Sequence, residues 1–65
     1  MRNDVRRLRT ARGWSQAELG DLLGVSRQTV IAIERERYDP SLPLALRIGR
    51  VLEAPVEQIF HDDAE

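Results

Sequence analysis

Residues 15–34 read SQAELGDLLGVSRQTVIAIE, and two short helices with their caps can be recognised within this stretch. Ser15 and Glu18 have the spacing of a capping box, in which each side chain accepts a hydrogen bond from the other residue's backbone amide. Gly24 is suited to the positive φ with which a helix ends sharply. Ser26 follows after one residue and is a good N-cap for a second helix. The stretch therefore predicts two helices joined by a very tight turn.

Three further helices are predicted around this pair from the same kind of signal. Asn3 is a good N-cap and Gly13 a good left-handed terminator for a first helix. Ser41 can cap a fourth helix that runs through about Glu53, and Pro55 can begin a short fifth one. The predicted ranges are 3–12, 41–53 and 56–60. No strand-like alternation of apolar and polar residues occurs, so the predicted fold class is all-α, with five helices.

The length of the chain, 65 residues, is enough for one compact domain over residues 1–65 and no second one. A domain of this size buries only about 60% of the surface of its unfolded chain, so its core is marginal unless something reinforces it. Dimerisation is the expected reinforcement. No apolar run approaches the roughly 20 residues that span a bilayer, and no leader pattern is present. We therefore expect a cytoplasmic protein that does not enter the membrane.

The types of residue present argue against an enzyme or a metalloprotein. The chain has no cysteine and one histidine, His61, which excludes disulfides, thiolate chemistry and zinc sites with the usual Cys/His spacing. No nucleophile accompanies His61, and no glycine-rich phosphate loop occurs. The acidic run of Asp62, Asp63 and Glu65 lacks the loop glycine of a calcium site and is expected to be a solubilising end. We predict no catalytic residue, cofactor, metal or small-molecule ligand.

Charge is distributed unevenly along the chain, although the formal net charge is only −1. Residues 1–37 contain eight arginines and five acidic residues, whereas residues 38–65 contain two arginines and six acidic residues. Affinity for nucleic acid is usually carried by a positive surface, so the first half is the candidate for it. The first helix contributes four arginines that form either a phosphate-binding strip or a solvated charged face: Arg6, Arg7, Arg9 and Arg12.

The second helix of the tight pair exposes the side chains on which a functional prediction depends. Two helices joined so closely must cross steeply, which is the helix-turn-helix geometry, here over about residues 16–35. In that geometry the second helix presents its solvent face to the major groove of DNA. Val30 and Ile33 point inward at helical spacing, so the outward residues are Arg27, Gln28, Ile31, Ala32 and Arg35. Arginine can bind guanine, and glutamine can bind adenine, through two hydrogen bonds each.

The quoted stretch, followed by YDPSLPLALRIGRVL and PVEQIF, resembles the Xre/Cro family of phage-type repressors and their small bacterial relatives. The resemblance covers residues 4–60 and is specific, because it joins a hydrophobic pattern to cap, glycine and polar positions at fixed offsets. It implies a repressor-like DNA-binding domain of five helices. It also implies that Gln16 contacts phosphate and supports the recognition helix, and that Arg9 and Glu34 form an ion pair.

The resemblance further divides the remaining candidate DNA-binding residues into two groups. It implies that bases are faced by Arg27, Gln28 and Ala32, and that the DNA backbone is contacted by Ser26, Thr29 and Arg37. Three departures from the family pattern bear on stability or on contacts: Gly20 where alanine is common, Ile31 where many relatives are polar, and Arg35-Glu36-Arg37 where the loop commonly contains glycine. Two interpretations of Ile31 stay open, a contact with a thymine methyl group or no contact.

An apolar surplus in the fourth helix predicts how the protein dimerises. Four positions at helical spacing suffice to face the core: Leu42, Ala45, Ile48 or Gly49, and Leu52. Three residues are left over, and these either meet a partner chain or extend the core: Leu44, Leu46 and Val51. We expect a homodimer, which would place two recognition helices roughly 34 Å apart on one face of the DNA.

Together these features predict a sequence-specific transcriptional regulator that binds double-stranded DNA, a repressor of an inverted-repeat operator. Two alternatives stay open on the same fold. One is an antitoxin or a restriction-modification controller, which would use the same DNA surface together with an additional partner. The other is a protein-interaction module that has lost DNA binding, for which the net charge of −1 is the best support.

Overall fold

The computed structural model describes residues 1–62, and Asp63 and Glu65 of the predicted acidic end lie outside them. Five helices are present within these residues, as predicted: α1 (Val5–Ala11), α2 (Gln16–Leu23), α3 (Arg27–Glu34), α4 (Leu42–Leu52) and α5 (Val56–Ile59). Two short strands accompany them: β1 (Arg2–Asn3) and β2 (Phe60–His61). None of the helices within residues 1–62 has the length and apolar character that a bilayer crossing requires.

The three predicted serine caps are confirmed. Ser15 and Glu18 form the full capping box at the start of α2, with hydrogen bonds of 2.7 and 3.0 Å. The Ser26 hydroxyl accepts from the Thr29 amide at 3.1 Å, and the Ser41 hydroxyl caps α4 in the same way. Each cap satisfies one of the amides that a helix leaves without an internal partner. The starts of α2, α3 and α4 are therefore fixed by local sequence.

The start of α1 differs from the prediction. Asp4, not Asn3, is the N-cap, and its side chain makes no capping hydrogen bond. Asn3 lies in β1 instead, where its Oδ1 accepts from the Val5 amide at 3.1 Å and its Nδ2 donates to the Ile33 carbonyl oxygen at 2.9 Å. The Asp4 carboxylate is 2.9 Å from His61 Nε2, and this hydrogen bond holds the pKa of Asp4 below its usual value. Asn3 therefore ties α1 to the end of α3 as well as supporting its first turn.

The two strands form an antiparallel pair in which Asn3 lies opposite Phe60. The sequence did not show these strands, because two residues per strand are too few to give an alternating pattern. The all-α class with five helices is confirmed. Phe60 has extended backbone, so α5 ends at Ile59, one residue earlier than predicted. The pair holds the N-terminal residues against the end of α5, and the Asp4 amide extends it by donating to the Ile59 carbonyl at 2.9 Å.

The core lies between the helices and draws on all five of them. Its buried members are Val5, Leu19, Leu23, Val30, Ile33, Leu44, Ile48, Leu52 and Ile59. Trp14 precedes the cap of α2 and Val25 precedes the cap of α3, and both pack against this cluster. Every helix therefore buries apolar surface in one shared core, and this burial holds such short helices in place.

The inward face of α4 is shifted from the predicted one. Leu44 is 8% exposed and belongs to the core, whereas Leu42 is 68% exposed. Val51 is half-buried and packs against the core. Leu42 and Leu44 lie at similar angles on either side of the buried row, so helical spacing alone does not choose between them. Of the three residues predicted to be left over, Leu46 is the one that stays exposed.

Candidate nucleic-acid interface

The turn between α2 and α3 brings the two helices close together. Gly24 has φ +75°, and the Val25 amide donates to the Gly20 carbonyl at 2.9 Å. Gly20 is buried, and a Cβ added there would lie 2.8 Å from the Val25 carbonyl oxygen. Ser26 then caps α3 immediately. The position of α3 is thus set by a glycine at the end of α2 and by a close backbone approach within the turn.

The side chains of α3 divide as helical spacing predicts. Val30 and Ile33 are fully buried, while Arg27, Gln28 and Arg35 are exposed. Ile31 and Ala32 are half-buried, so they lie at the edge of the outer face rather than at its centre. Helix α3 therefore offers solvent a guanidinium and an amide at its N-terminal end, with small and apolar groups beside them.

The Arg9–Glu34 ion pair implied by the resemblance is present and nearly buried. Arg9 donates to both carboxylate oxygens of Glu34, at 2.6 and 3.1 Å, and the two side chains are 10% and 4% exposed. Arg9 also donates to the Trp14 carbonyl at 2.8 Å. Gln16 Nε2 donates to Glu34 Oε1 at 3.2 Å. These contacts fix the end of α3 to α1 and orient Gln16, because bidentate arginine–carboxylate pairs restrict geometry.

A cleft of about 560 Å³ opens beside this pair, between α1, the start of α2 and α3. Its lining residues are Arg6, Arg9, Ser15, Gln16, Ala17, Arg27, Glu34 and Arg35. The capping box uses the amides of Ser15 and Glu18, and its hydrogen bonds hold the pKa of Glu18 below the usual value. The amides of Gln16 and Ala17 have no partner among residues 1–62. We call this the arginine cleft; arginines and free amides at a helix start make it suited to an anion.

The other predicted contact residues lie near the two ends of α3. The Ser26 and Thr29 hydroxyls are 3.1 Å apart at the helix start, so each is partly engaged by the other. Arg37 is exposed in the loop after α3, and its amide donates to the Ala32 carbonyl at 3.0 Å. Between α3 and Arg37, Glu36 has φ +62°. Glu36 thus occupies the turn position at which glycine is usual, and it places a carboxylate side chain there.

The four arginines predicted for the first helix, of which Arg12 is the C-cap of α1, do not act as one strip. Arg6 lines the arginine cleft, Arg9 is buried against Glu34, and Arg7 pairs with Asp4 at 3.3 Å. Arg12 donates to the Leu52 carbonyl at 3.3 Å, pairs with Glu53 at 3.3 Å and lies 5.4 Å from the centre of the Trp14 ring. Sequence reasoning did not single out Arg6, although its spacing of three from Arg9 places both on one face of the helix.

No group of histidines and acidic residues within residues 1–62 has the arrangement of a metal site. Apart from Glu34, which is paired with Arg9, the charged groups at the start of α3 and in the arginine cleft are arginines, and hydrogen-bond donors lie beside them. Such groups are complementary to phosphates and to the base edges of nucleic acid.

Comparison with known proteins agrees with this geometry. A family model for helix-turn-helix domains matches residues 5–59. An uncharacterized HTH-type transcriptional regulator of Bacillus subtilis, YgzD, is 48% identical over 60 residues, covering 92% of this chain and 91% of that protein. A second uncharacterized HTH-type transcriptional regulator, from Methanocaldococcus jannaschii, is 44% identical over the full length of both chains.

Two crystal structures are similar in fold. A hypothetical transcription factor from Neisseria, NHTF, superposes with a TM-score of 0.78 at 33% identity, over 85% of this chain and 62% of that one. The restriction-modification controller protein C.AhdI from Aeromonas hydrophila superposes with a TM-score of 0.77 at 36% identity, over 86% and 81% of the two chains. Five helices, the helix-turn-helix geometry and these matches identify a DNA-binding regulator rather than an enzyme. The chain belongs to the Xre/Cro-type helix-turn-helix family of transcriptional regulators.

Proposed function

We propose that this protein represses transcription in the cytoplasm by binding an inverted-repeat operator as a homodimer, with α3 in the major groove. The observation that carries the proposal is the polar outer face at the start of α3, next to the arginine cleft. Arg27 and Gln28 are exposed there, on a helix whose end is held by the buried Arg9–Glu34 pair. A rigid helix with free donors at its N-terminal end is what base recognition in the major groove requires.

Base readout is assigned to the outer face of α3. Arg27 can donate two hydrogen bonds to the O6 and N7 atoms of guanine, and Gln28 can pair with N6 and N7 of adenine. Ala32 is half-buried at the edge of the face and can touch a thymine methyl group. Each good bidentate contact is worth about 1–3 kcal/mol of discrimination against the wrong base.

Backbone contacts are assigned to the groups around this face. Gln16 and the free amides of α2 face the arginine cleft, which suits them to one phosphate. Ser26 and Thr29 at the start of α3 and Arg37 after its end are placed for phosphates on either side. The net negative charge of the chain does not oppose this assignment, because the arginines are concentrated in residues 1–37.

A second copy of the chain is the proposed occupant of an apolar surface on α4 and α5. Leu42 and Leu46 are 68% and 46% exposed, and a groove of about 240 Å³ next to Leu42 is lined by Met1, Val56 and Phe60. We call these five residues the α4–α5 surface. Arg50, Glu53 and Glu57 line the adjoining groove beside Leu46 and Val56. Charges of both signs at its edge suit a two-fold interface, in which each arginine meets a carboxylate of the other copy.

The test is a salt titration of binding to the operator selected from random duplexes, compared with a scrambled duplex. We expect the logarithm of the affinity to fall steeply with the logarithm of salt concentration, and the operator to bind far more tightly than the scrambled duplex.

Arg27→Ala and Gln28→Ala should each relax preference at one base pair per half-site, at a cost of about 1–3 kcal/mol. Gln58→Ala, at an exposed glutamine of α5, is the matched control. Equal affinity for every duplex would contradict the proposal and favour a protein-interaction module.

A controller of restriction-modification genes is the second candidate, and the similarity to C.AhdI favours it. Such a protein would use the same DNA surface and add an activating contact to RNA polymerase. Transcription in vitro from a promoter carrying the selected operator separates the two candidates. Repression at all protein concentrations supports the first, and activation at low concentration supports the second.

A further inference from the structure

Arg47 on α4 reaches across to the end of α2. Its Nη1 atom donates to the Leu23 carbonyl oxygen at 2.7 Å. It also lies over the turn, since a Cβ added to Gly24 would be 3.7 Å from the same nitrogen. This contact directs the Arg47 guanidinium to α2.

The Leu23 carbonyl is one of those that a helix leaves without an internal partner at its C-terminus. Two other carbonyls of this end accept from the turn: Gly20 from Val25 at 2.9 Å and Asp21 from Gly24 at 3.3 Å. Helix α2 has no basic residue in its last turn. Arg47 therefore supplies both the missing donor and the cation that the negative end of the helix dipole favours.

We propose that Arg47 is a positioning residue for DNA recognition, which fixes the turn before α3 relative to α4. The inference rests on the proposed function. Leu46, the neighbour of Arg47, belongs to the α4–α5 surface, so α4 lies at the interface between the two copies of the proposed homodimer. Val25 and Ser26 lead directly from the turn into α3. The Arg47–Leu23 hydrogen bond thus connects α4, at the dimer interface, to the turn before the recognition helix α3. In the dimer this hydrogen bond occurs once in each copy, and together the two set the distance between the recognition helices.

The test compares Arg47→Met, which keeps the length of the side chain, with Arg47→Lys and with a control, Arg7→Met. The control removes the same charge from an exposed arginine of α1 that lies outside the arginine cleft and the α4–α5 surface. Binding to the selected operator, to a scrambled duplex and to operators with one base pair added or removed between half-sites is measured well below the unfolding temperature of each variant.

We expect Arg47→Met to lose about tenfold in operator affinity, as removal of a charged hydrogen-bond donor predicts. Affinity for the scrambled duplex and the salt slope should not change, and the penalty for altered spacing should shrink. Arg47→Lys should recover part of the loss, because an ammonium group can donate to the same carbonyl. In free protein, hydrogen exchange of the Gly24 and Val25 amides should be about tenfold faster in Arg47→Met and unchanged in Arg7→Met.

Two results would overturn the inference. An equal loss on both duplexes, with the salt slope smaller by about 0.9, would make Arg47 a phosphate contact. An unchanged spacing penalty together with unchanged exchange in the turn would leave Arg47 with a general structural role. A wild-type protein without operator preference is a failure of the proposed function instead, and the exchange measurement still decides whether Arg47 fixes the turn.

Discussion

The helix-turn-helix half of the molecule, residues 5–37, and the C-terminal half, residues 42–61, are held together by different means. In the first half, a capping box, glycines and the buried Arg9–Glu34 pair fix each helix with respect to the next. In the second half, α4 and α5 are placed mainly by apolar burial, and apolar side chains remain at the surface. Directional contacts specify one geometry, whereas apolar contacts tolerate several. The first half is therefore suited to orienting a helix, and the second to the homodimer proposed above.

The role of directional contacts in the first half is tested most directly by a substitution at Glu34. We expect Glu34→Ala to lower the free energy of unfolding by about 3–5 kcal/mol, because it leaves the Arg9 guanidinium nearly buried without its partner. Its effect on base preference should be smaller than its effect on stability, since Glu34 faces Arg9 and Gln16 rather than the outer surface of α3. Thermal and denaturant unfolding measure the first effect, and selection of binding sites by the variant measures the second.

A double-mutant cycle with Arg9→Ala supplies the control for this experiment. The double variant should lose much less than the sum of the two single losses, because the second substitution removes the charge that the first one stranded. Arg7→Ala is a matched arginine on the same helix, whose side chain is 67% exposed, and it should change stability little. Additive losses for Arg9 and Glu34 would show that the pair does not couple α1 to α3.

The C-terminal half is tested at Leu46. We expect Leu46→Glu to weaken a homodimer on the order of a hundredfold, because each copy would bury a carboxylate where it now buries an apolar side chain. Sedimentation over a range of micromolar concentrations measures the dissociation constant. Leu22→Glu is the matched control, since Leu22 is 50% exposed on α2 and outside the α4–α5 surface. A monomeric wild type, or equal dissociation in both variants, would place the interface elsewhere or exclude it.

The same contrast explains which features could be predicted from the sequence. The caps of α2 and α3 follow from single residues at fixed offsets, so Ser15, Gly24 and Ser26 were sufficient to locate them. The ion pair of Arg9 with Glu34 came from the family resemblance, because 25 residues separate the two and spacing says nothing about such a contact.

Burial on α4 could not be predicted in the same way. Leu42 and Leu44 are chemically identical and lie at similar angles, so the choice between them depends on where α2 and α5 pack. The strand pair of Asn3 with Phe60 depends likewise on a meeting of the two ends of the chain. Arg47 gains its position from a tertiary contact with Leu23, which the sequence does not show. For Arg6 the sequence left two interpretations open, a phosphate-binding strip or a solvated face, because the cleft beside it forms only when α1, α2 and α3 pack.

The smallest expected effect concerns the residues with positive φ that follow α3 in the first half and α4 in the second. Glu36 follows α3 with φ +62° and Glu53 follows α4 with φ +56°, both in the left-handed region that favours glycine. We expect Glu36→Gly to raise the free energy of unfolding by about 0.5–1 kcal/mol, because relief of strain exceeds the entropy that glycine adds to the unfolded chain. Glu53→Gly should gain less, since it also removes the 3.3 Å ion pair with Arg12, which is worth about 0.2–1 kcal/mol at the surface. Glu36→Ala and Glu53→Ala keep the strain while removing the charge, so denaturant unfolding of all four variants separates the two contributions. Equal gains from both glycine substitutions would mean that the Arg12–Glu53 pair contributes nothing, and no gain from Glu36→Gly would mean that the loop after α3 is unstrained.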